Sequence, residues 1–269
     1  MILERRKKYL QIALNSNLIE AERIIQNLPF SNQIIIEAGT PLIKTYGFRV
    51  ISEIKKIALR RISDEDIRKE YIKTFPSSMQ FLMAKNFTSR QIMVDCLINK
   101  GKFSLFQPYV VADIKCNDLA RKEIAVVSGA QAATCLGVAP IETIDSFVEG
   151  CRYFHIDSMI DMMNVENPLL VLKKLKQIPD VVMLHRGVDE TEINKEKQIP
   201  YYQIRQIKGN YDVLISVAGG DTIEEAERAF FNDADIVVVW KSFYKNTEDT
   251  AKIAQEFYKK LKVSPANKI

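Results

Sequence analysis

Short apolar runs recur along the chain and alternate with segments whose apolar residues have helical spacing. The runs that predict strands are residues 10–15, 34–39, 109–115, 132–137, 156–163, 181–187, 213–220 and 236–242. Most are nearly continuous in apolar residues, which is typical of parallel strands buried on both faces. The segments that predict helices are residues 18–28, 40–61, 119–128, 141–152, 168–176, 200–207, 222–231 and 247–261.

Eight β-α units in succession predict a single α/β domain over residues 1–269, folded as a closed (β/α)8 TIM barrel. The first strand is not followed by a G-x-G-x-x-G motif, which disfavours a dinucleotide-binding sheet. Thr40-Pro41 is expected to cap and open the second helix, and Thr222 to Glu225 has the pattern of a capping box.

Residues 62–104 interrupt this rhythm and predict a helical insertion between the second and third units. Helix starts are expected at Ser63 and Thr88, with stops at Phe75-Pro76 and Gly101. The segment is rich in Phe and Met, side chains that repack easily. Two interpretations remain open: a decoration packed on the barrel, or a lid or partner surface.

Composition and charge exclude several classes of protein. The 269 residues are 47% hydrophobic and 27% charged, as in an ordinary soluble globular protein. A net charge of +4 does not indicate nucleic-acid binding. No apolar run approaches the roughly 20 residues of a membrane span, and residues 1–8 do not have the pattern of a secretory signal. Four cysteines without C-x-x-C spacing indicate reduced thiols and a cytoplasmic location.

The third predicted strand ends in three charged residues, Asp113, Lys115 and Asp118. Strand alternation places Asp113 and Lys115 on the same face. Charges at the end of a buried strand are costly unless they pair or bind a ligand. Taken alone, the motif is equally consistent with a structural ion-pair cluster.

Polar residues also end most of the other predicted strands. They are Asn15, Glu37, Gly137, Asp161, His185, Gly219 with Gly220, and Lys241 with Ser242. In a (β/α)8 barrel these ends meet at the face that carries the chemistry. A structural ion-pair cluster gives no reason for polar residues to collect at that rim, so the pattern favours a functional site.

The residue types suggest specific chemistry. Glu37 and Asp113 are hard oxygen ligands that suit Mg2+ and leave coordination positions for water and substrate. His185 could act as a general acid or base, whereas His155, at the start of its strand, is interpreted as structural. Lys115 could stabilise an oxyanion.

The last two strands predict a phosphate site. Gly219 and Gly220 allow backbone N–H groups to approach a ligand, and the helix that follows begins at Thr222. Loops after the seventh and eighth strands are the usual phosphate-binding position of this fold.

At this point the sequence resembles the 3-hexulose-6-phosphate synthase family. The matching motifs are residues 36–44 with 47, 111–118, 136–139, 160–161, 165–168, 185–189 and 217–220. That family lies in the orotidine 5'-phosphate decarboxylase superfamily, together with 3-keto-L-gulonate 6-phosphate decarboxylase. The resemblance covers most of the chain except residues 62–104.

The resemblance implies an aldol or retro-aldol lyase that joins ribulose 5-phosphate and formaldehyde through a 1,2-enediolate. Glu37 and Asp113 would hold Mg2+, Lys115 would stabilise the enediolate, and His185 would move protons. Asp118 would order substrate in the neighbouring subunit of a homodimer. The residues expected to bind the sugar and its phosphate are Asn15, Asp161, Arg186, Gly219, Gly220, Lys241 and Ser242.

Two alternatives stay open. One is a decarboxylase, either of the 3-keto-L-gulonate 6-phosphate type, which uses the same enediolate, or of the orotidine 5'-phosphate type. Val188 stands where the first type usually carries a second Arg, and Leu119-Ala120-Arg121 replaces the usual sequence of the second type, so both features favour the lyase. The other is a diverged barrel that acts as a binding protein, with residues 62–104 as its docking surface. This alternative is motivated by three departures from the family pattern: Asn15 replaces an Asp, Trp240-Lys241 replaces Gly-Arg, and Asp221 follows the glycine pair.

Overall fold

Eight parallel strands form a closed barrel in chain order, and the last strand pairs with the first. This computed structural model describes residues 1–28, 31–60, 71–85, 108–194, 198–220 and 222–240, with isolated positions at 67, 92, 93, 96, 196, 255–257 and 259. The predicted (β/α)8 fold is confirmed.

All eight predicted strands are present. They are β1 Tyr9–Leu14, β2 Ile34–Ala38, β3 Tyr109–Cys116, β4 Ala132–Leu136, β5 Asp157–Asp161, β6 Val181–His185, β7 Leu214–Ala218 and β8 Ile236–Val239. Most end one to three residues before the predicted limit, because residues such as Asn15, Gly137 and Gly219 lie in the turns that follow the strands.

The helices pack outside the barrel between successive strands. They are α1 Leu18–Asn27, α2 Thr40–Tyr46, α3 Arg49–Arg60, α4 Ser77–Lys85, α5 Ala120–Val127, α6 Ile141–Tyr153, α7 Pro168–Leu172, α8 Val188–Ile193, α9 Tyr202–Lys208 and α10 Ile223–Phe231. None of the helices in the described part of the chain is both long and apolar enough to span a bilayer.

The prediction of one helix over residues 40–61 is wrong. The helix is interrupted at Gly47, whose φ of 70° lies in the left-handed region. As a result, α2 and α3 are separate helices. The predicted cap is also wrong: Gly39 occupies the N-cap position, and Thr40 is the first helical residue. Its hydroxyl lies against Asp113 instead, as described below.

Helix α8 was not predicted, and helix α4 lies within the predicted helical insertion although its bounds were not predicted. Helix α8 has six residues, too few to show a periodic pattern, and is anchored by Glu190, whose carboxylate accepts from the Gly187 N–H. The capping box at Thr222 is confirmed. The helix starts predicted at Ser63 and Thr88 lie outside the described residues, as does most of the segment 247–261. The interpretation of residues 62–104 as an insertion with a lid or docking role stays a prediction.

The core has two layers because strand side chains alternate between the helices and the barrel interior. At the N-terminal end of the barrel, Leu3 is buried and its N–H donates to the carboxylate of Asp157 at 3.0 Å. The Tyr109 hydroxyl donates to the same carboxylate at 2.8 Å. The N-terminal segment therefore closes this end of the barrel, and the site lies at the other end.

Candidate active site

A cavity of about 510 Å3 lies at the C-terminal ends of the strands. Six of its polar lining residues were predicted for the site, and Thr40 was not. The six are Asn15, Glu37, Asp113, Lys115, His185 and Arg186. Apolar surface comes from side chains such as Met163, Met183 and Trp240. The volume suits a small metabolite.

Asp161, at the end of β5, organises the cationic side of this cavity. Its fully buried carboxylate accepts from Lys115 Nζ at 2.8 Å and from the N–H of Met163 at 3.0 Å, and it lies 2.8 Å from His185 Nδ1. Burial alone would raise the pKa of Asp161, but the hydrogen bonds and charges of His185 and Lys115 outweigh it and hold the pKa well below its usual range.

The two partners of Asp161 are shifted toward their charged forms. Burial acts to lower the pKa of His185, but the hydrogen bond and charge of Asp161 raise it overall. Burial likewise acts against the charge of Lys115, yet Asp113 and Asp161 raise its pKa. Asp161 thus fixes His185 through Nδ1, so that Nε2 is the nitrogen that can exchange a proton with a ligand.

Asp161 was predicted to bind substrate, and the structure places it differently. It is 0% exposed and does not line the cavity, whereas Lys115 and His185 do. We therefore assign Asp161 to positioning these two side chains rather than to contact with the ligand.

Asp113 and Lys115 share the cavity, as predicted, but regular strand alternation is not the reason. The register of β3 on β4 shifts between Ala112 and Cys116, and Lys115 has a φ of 47°. Such a left-handed conformation is uncommon for a residue with a side chain. The irregularity leaves Lys115 Nζ 3.4 Å from Asp113 Oδ1, while its shorter ion pair is with Asp161.

Glu37 and Asp113 supply the acidic side of the cavity from the neighbouring strands β2 and β3. Both carboxylates are buried. Burial, followed by the charge of Asp113, raises the pKa of Glu37 to about 7, although a hydrogen bond from Gln11 Nε2 acts in the opposite direction.

This acidic pair fits a hard divalent cation, because two buried carboxylates that repel each other would be stabilised by a positive ion. Among the described residues, no group of three or more His, Cys, Asp or Glu side chains could hold a metal ion. Two carboxylates could supply only part of the ligands of such an ion, so water or substrate oxygens would have to supply the others.

The predicted phosphate end is built around Arg186 and Gly219. Gly219 has a φ of 97°, and a Cβ on it would lie 2.3 Å from the carbonyl oxygen of Arg186, so glycine is required. Arg186 Nη2 donates to the Gly219 carbonyl at 2.8 Å and lies 3.7 Å from the carboxylate of Glu225. Gly220 is buried against Glu225 at the start of α10. The guanidinium and this backbone therefore lie together at one side of the cavity.

Several predicted residues take no part in this cavity or lie outside the described chain. Asp118 is exposed, and its Oδ1 accepts from the Leu119 N–H at 2.8 Å, so its role across a dimer stays a prediction. Gly137 packs against Met162. His155 is exposed just before β5, at the opposite end of that strand from Asp161. Lys241, Ser242 and Asp221 lie outside the described residues.

The prediction missed three polar residues that support the site: Gln11, Thr40 and Thr134. Gln11 is fully buried inside the barrel, and a polar residue in the apolar run of β1 was a usable signal. Thr40 was interpreted as a helix cap. Thr134 lies in a short apolar strand, and nothing in its spacing indicates a contact with β3.

A second, larger concavity of about 1070 Å3 opens at the N-terminal end of the barrel. Its charged groups pair with one another: Lys208 with Asp235 at 2.9 Å, Lys8 with the same carboxylate at 3.4 Å, and Arg5 with Asp212. These contacts indicate a structural ion-pair surface rather than a second reactive site.

Comparison with known proteins finds curated relatives and solved structures that are similar to this chain. No family model matches the chain. The bifunctional enzyme Fae/Hps of Methanocella arvoryzae is 34% identical over 260 residues, which are 94% of this chain and 53% of that protein. The chain thus spans about half the length of the curated relatives it matches.

Solved structures share the fold at lower identity. A 3-hexulose-6-phosphate synthase superposes with a TM-score of 0.66 at 20% identity, covering 94% of this chain and 99% of that one. KGPDC from Streptococcus mutans gives a TM-score of 0.64 at 15% identity, covering 96% and 99%. The curated relatives confirm the resemblance predicted from the motifs, and the solved structures show that the fold is shared.

Proposed function

We propose that this chain, a 3-hexulose-6-phosphate synthase-like member of the orotidine 5'-phosphate decarboxylase superfamily, is a Mg2+-dependent lyase that forms or cleaves a hexulose 6-phosphate. The reaction would join ribulose 5-phosphate and formaldehyde. The observation that carries the proposal is one cavity in which Lys115 and His185, both held by buried Asp161, share the lining with Glu37 and Asp113.

Glu37 and Asp113 are the residues that would hold Mg2+. When bound, the ion would supply positive charge that polarises the oxygens of the sugar. The raised pKa of Glu37, to about 7, reflects burial and the nearby Asp113 charge, and a cation would favour the ionised form of both carboxylates.

Lys115 and His185 would handle the charge and the proton. Loss of a proton from the carbon beside the carbonyl sends its electron pair to the carbonyl oxygen and gives an enediolate. The Lys115 ammonium, kept charged by Asp113 and Asp161, would stabilise that oxygen. His185 Nε2 would carry the proton, while its Nδ1 stays on Asp161.

The carbon–carbon bond then forms between the enediolate carbon and formaldehyde, and the new alkoxide takes up a proton. The reverse reaction uses the same intermediate. Arg186 and the backbone at Gly219 and Gly220 would bind the phosphate, since Arg186 and Gly219 line one side of the cavity and Gly220 lies against Glu225 in the first turn of α10.

The test is to incubate the protein with Mg2+, ribulose 5-phosphate and formaldehyde and to follow the loss of formaldehyde. Asp113→Ala, which removes a carboxylate of the cavity, should abolish turnover. Trp240 is the single tryptophan and lines the cavity, so its fluorescence reports binding of the sugar phosphate directly.

Three outcomes would contradict the proposal. Absence of turnover together with absence of Mg2+-dependent binding would exclude the lyase. Release of CO2 from a keto-acid sugar phosphate would identify a decarboxylase instead. A fluorescence response without any turnover would identify a binding protein.

A further inference from the structure

We infer that Thr134 is a positioning residue for the reaction, because its single hydroxyl fixes both Asp113 and Lys115. The hydroxyl donates to Asp113 Oδ1 at 2.8 Å and accepts from the backbone N–H of Lys115 at 3.0 Å. The catalytic part of the inference rests on the proposed function of these two residues.

Thr134 acts from beneath the cavity. It lies on β4, is 1% exposed and does not line the cavity, so it would act on a substrate only through its neighbours. Ala132 and Ala133 precede it and Cys135 follows it, all of them buried. A hydroxyl in such surroundings is costly unless it is hydrogen-bonded, and this one uses both its donor and its acceptor capacity on β3.

The contact with Lys115 supplies a hydrogen-bond acceptor at an irregular stretch of β3. The register between β3 and β4 is irregular from Ala112 to Cys116, and Lys115 has a φ of 47° within that stretch. A half-buried backbone N–H displaced from the regular ladder needs another acceptor. Thr134 Oγ1 supplies it, and the left-handed Lys115 is thereby held where Nζ reaches Asp161 at 2.8 Å.

The contact with Asp113 completes a clamp on the carboxylate. Thr134 holds Oδ1, and the hydroxyl of Thr40 lies 2.8 Å from Oδ2. Thr40 touches Asp113 but makes no described contact with Lys115, so the two threonines have separable roles. Of the two threonines, only Thr134 contacts both the Asp113 carboxylate and the backbone N–H of Lys115.

The first test is amide hydrogen exchange at Lys115 in the full chain, which needs no activity. Thr134→Val removes the hydroxyl at nearly constant volume and should accelerate exchange of the Lys115 amide about two- to tenfold. Thr134→Ser keeps the hydroxyl and should retain protection. Thr40→Val, the matched control, should leave this amide unchanged. If Thr134→Val does not fold, Thr134→Ala removes the same hydroxyl and gives the same expectation.

The second test separates turnover from binding. Thr134→Val should lower kcat by about 10- to 100-fold, the range typical of residues that orient catalytic or metal-binding groups. Binding of ribulose 5-phosphate, followed by Trp240 fluorescence, should change much less, and Thr134→Ser should restore kcat. A general loss of packing would not be rescued by serine, which lacks the methyl group.

An unchanged Lys115 exchange rate in the hydroxyl-free variants would overturn the inference, and so would an unchanged kcat. If the wild type neither binds nor turns over ribulose 5-phosphate, the proposed function fails. The exchange measurement would still decide whether Thr134 holds Lys115.

Discussion

Replacing Asp161 by Asn is the most direct perturbation of the site, because one buried carboxylate supports both of its cations. Asparagine has nearly the same shape. Its oxygen can still accept from the Met163 N–H, which now donates to Oδ1 at 3.0 Å. Its NH2 group would take the place of Oδ2, which lies 2.8 Å from both Lys115 Nζ and His185 Nδ1. A donor would then face the Lys115 ammonium, whereas His185 Nδ1 could still donate to the remaining oxygen, from which it lies 3.0 Å.

The expected cost follows from the lost Lys115 hydrogen bond and from the loss of the negative charge that faces both cations. A hydrogen bond to a charged group contributes about 1.5–3 kcal/mol, and this is a lower bound because the ion pair with His185 is lost as well. Breaking a buried ion pair by removing one partner typically costs about 3–5 kcal/mol, in agreement. Since a whole domain is stable by about 5–15 kcal/mol, we expect Asp161→Asn to lower the free energy of unfolding by about 3–5 kcal/mol.

The loss should depend on pH in a defined direction. The pKa of Asp161 is lowered by folding, so its contribution is present above the unfolded value of about 3.9 and is lost as the pH falls through the folded value. The pKa of His185 is raised, so its contribution is present below about 6.5 and is lost as the pH rises through the folded value. The difference between wild type and variant should therefore be largest between about pH 4 and 6.5.

Denaturant unfolding across this pH range, in metal-free buffer, measures the free energies. An NMR titration of the two histidines measures the pKa of His185 directly, with exposed His155 as an internal reference. In Asp161→Asn the pKa of His185 should fall, because burial then acts without the opposing carboxylate. The control is Asp157→Asn, which changes an equally buried carboxylate of β5 with other partners and should leave His185 unchanged.

The reasoning is refuted if the pKa of His185 is the same in wild type and Asp161→Asn. It is equally refuted if the control lowers that pKa as much as the test variant does. Either result would mean that His185 owes its protonation to something other than Asp161.

Two further substitutions test the acidic pair and the phosphate end. Because burial and Asp113 raise the pKa of Glu37 to about 7, the wild type should lose stability as the pH rises from about 4.5 to 7, the folded state there binding more protons than the unfolded state. Glu37→Gln should remove this dependence of stability on pH, measured by thermal unfolding. Mg2+ should raise the Tm of the wild type but not that of the variant. The same pH dependence in both proteins would contradict the prediction. Gly219→Ala should cost about 1–3 kcal/mol in urea unfolding, because its φ is 97° and the new Cβ meets the Arg186 backbone. Gly129→Ala, in open space, should change stability by less than about 0.5 kcal/mol, and similar losses in both would refute the steric argument.

The fold and most of the rim could be predicted because they depend on patterns that are local in the chain. Each strand is an apolar run that ends in a polar residue, as with Glu37 and His185, and parallel strands bring such ends together. The prediction missed features whose signal in the local sequence is weak. Gly47 breaks a helix whose apolar spacing continues beyond it, and α8 is too short to show a period.

The partners within the site could not be predicted, because they depend on contacts between strands far apart in sequence. Spacing alone pairs Lys115 with Asp113, two residues away, yet its closer partner is Asp161, 46 residues along the chain. The same holds for Thr134, whose hydroxyl matters only because β4 lies beside an irregular stretch of β3.

The contact of Lys115 with Asp161 changes the role of the charged residues at the end of β3. An ion pair between Asp113 and Lys115 alone would commit both groups to each other and leave little for a ligand. Buried Asp161 instead holds the shorter ion pair with Lys115 and also contacts His185, while Asp113 is held by the Thr40 and Thr134 hydroxyls and lies 3.4 Å from Lys115 Nζ. The cavity therefore presents carboxylates and cationic groups to the same ligand. A reaction that needs both a bound cation and a stabilised oxyanion would use both kinds of group.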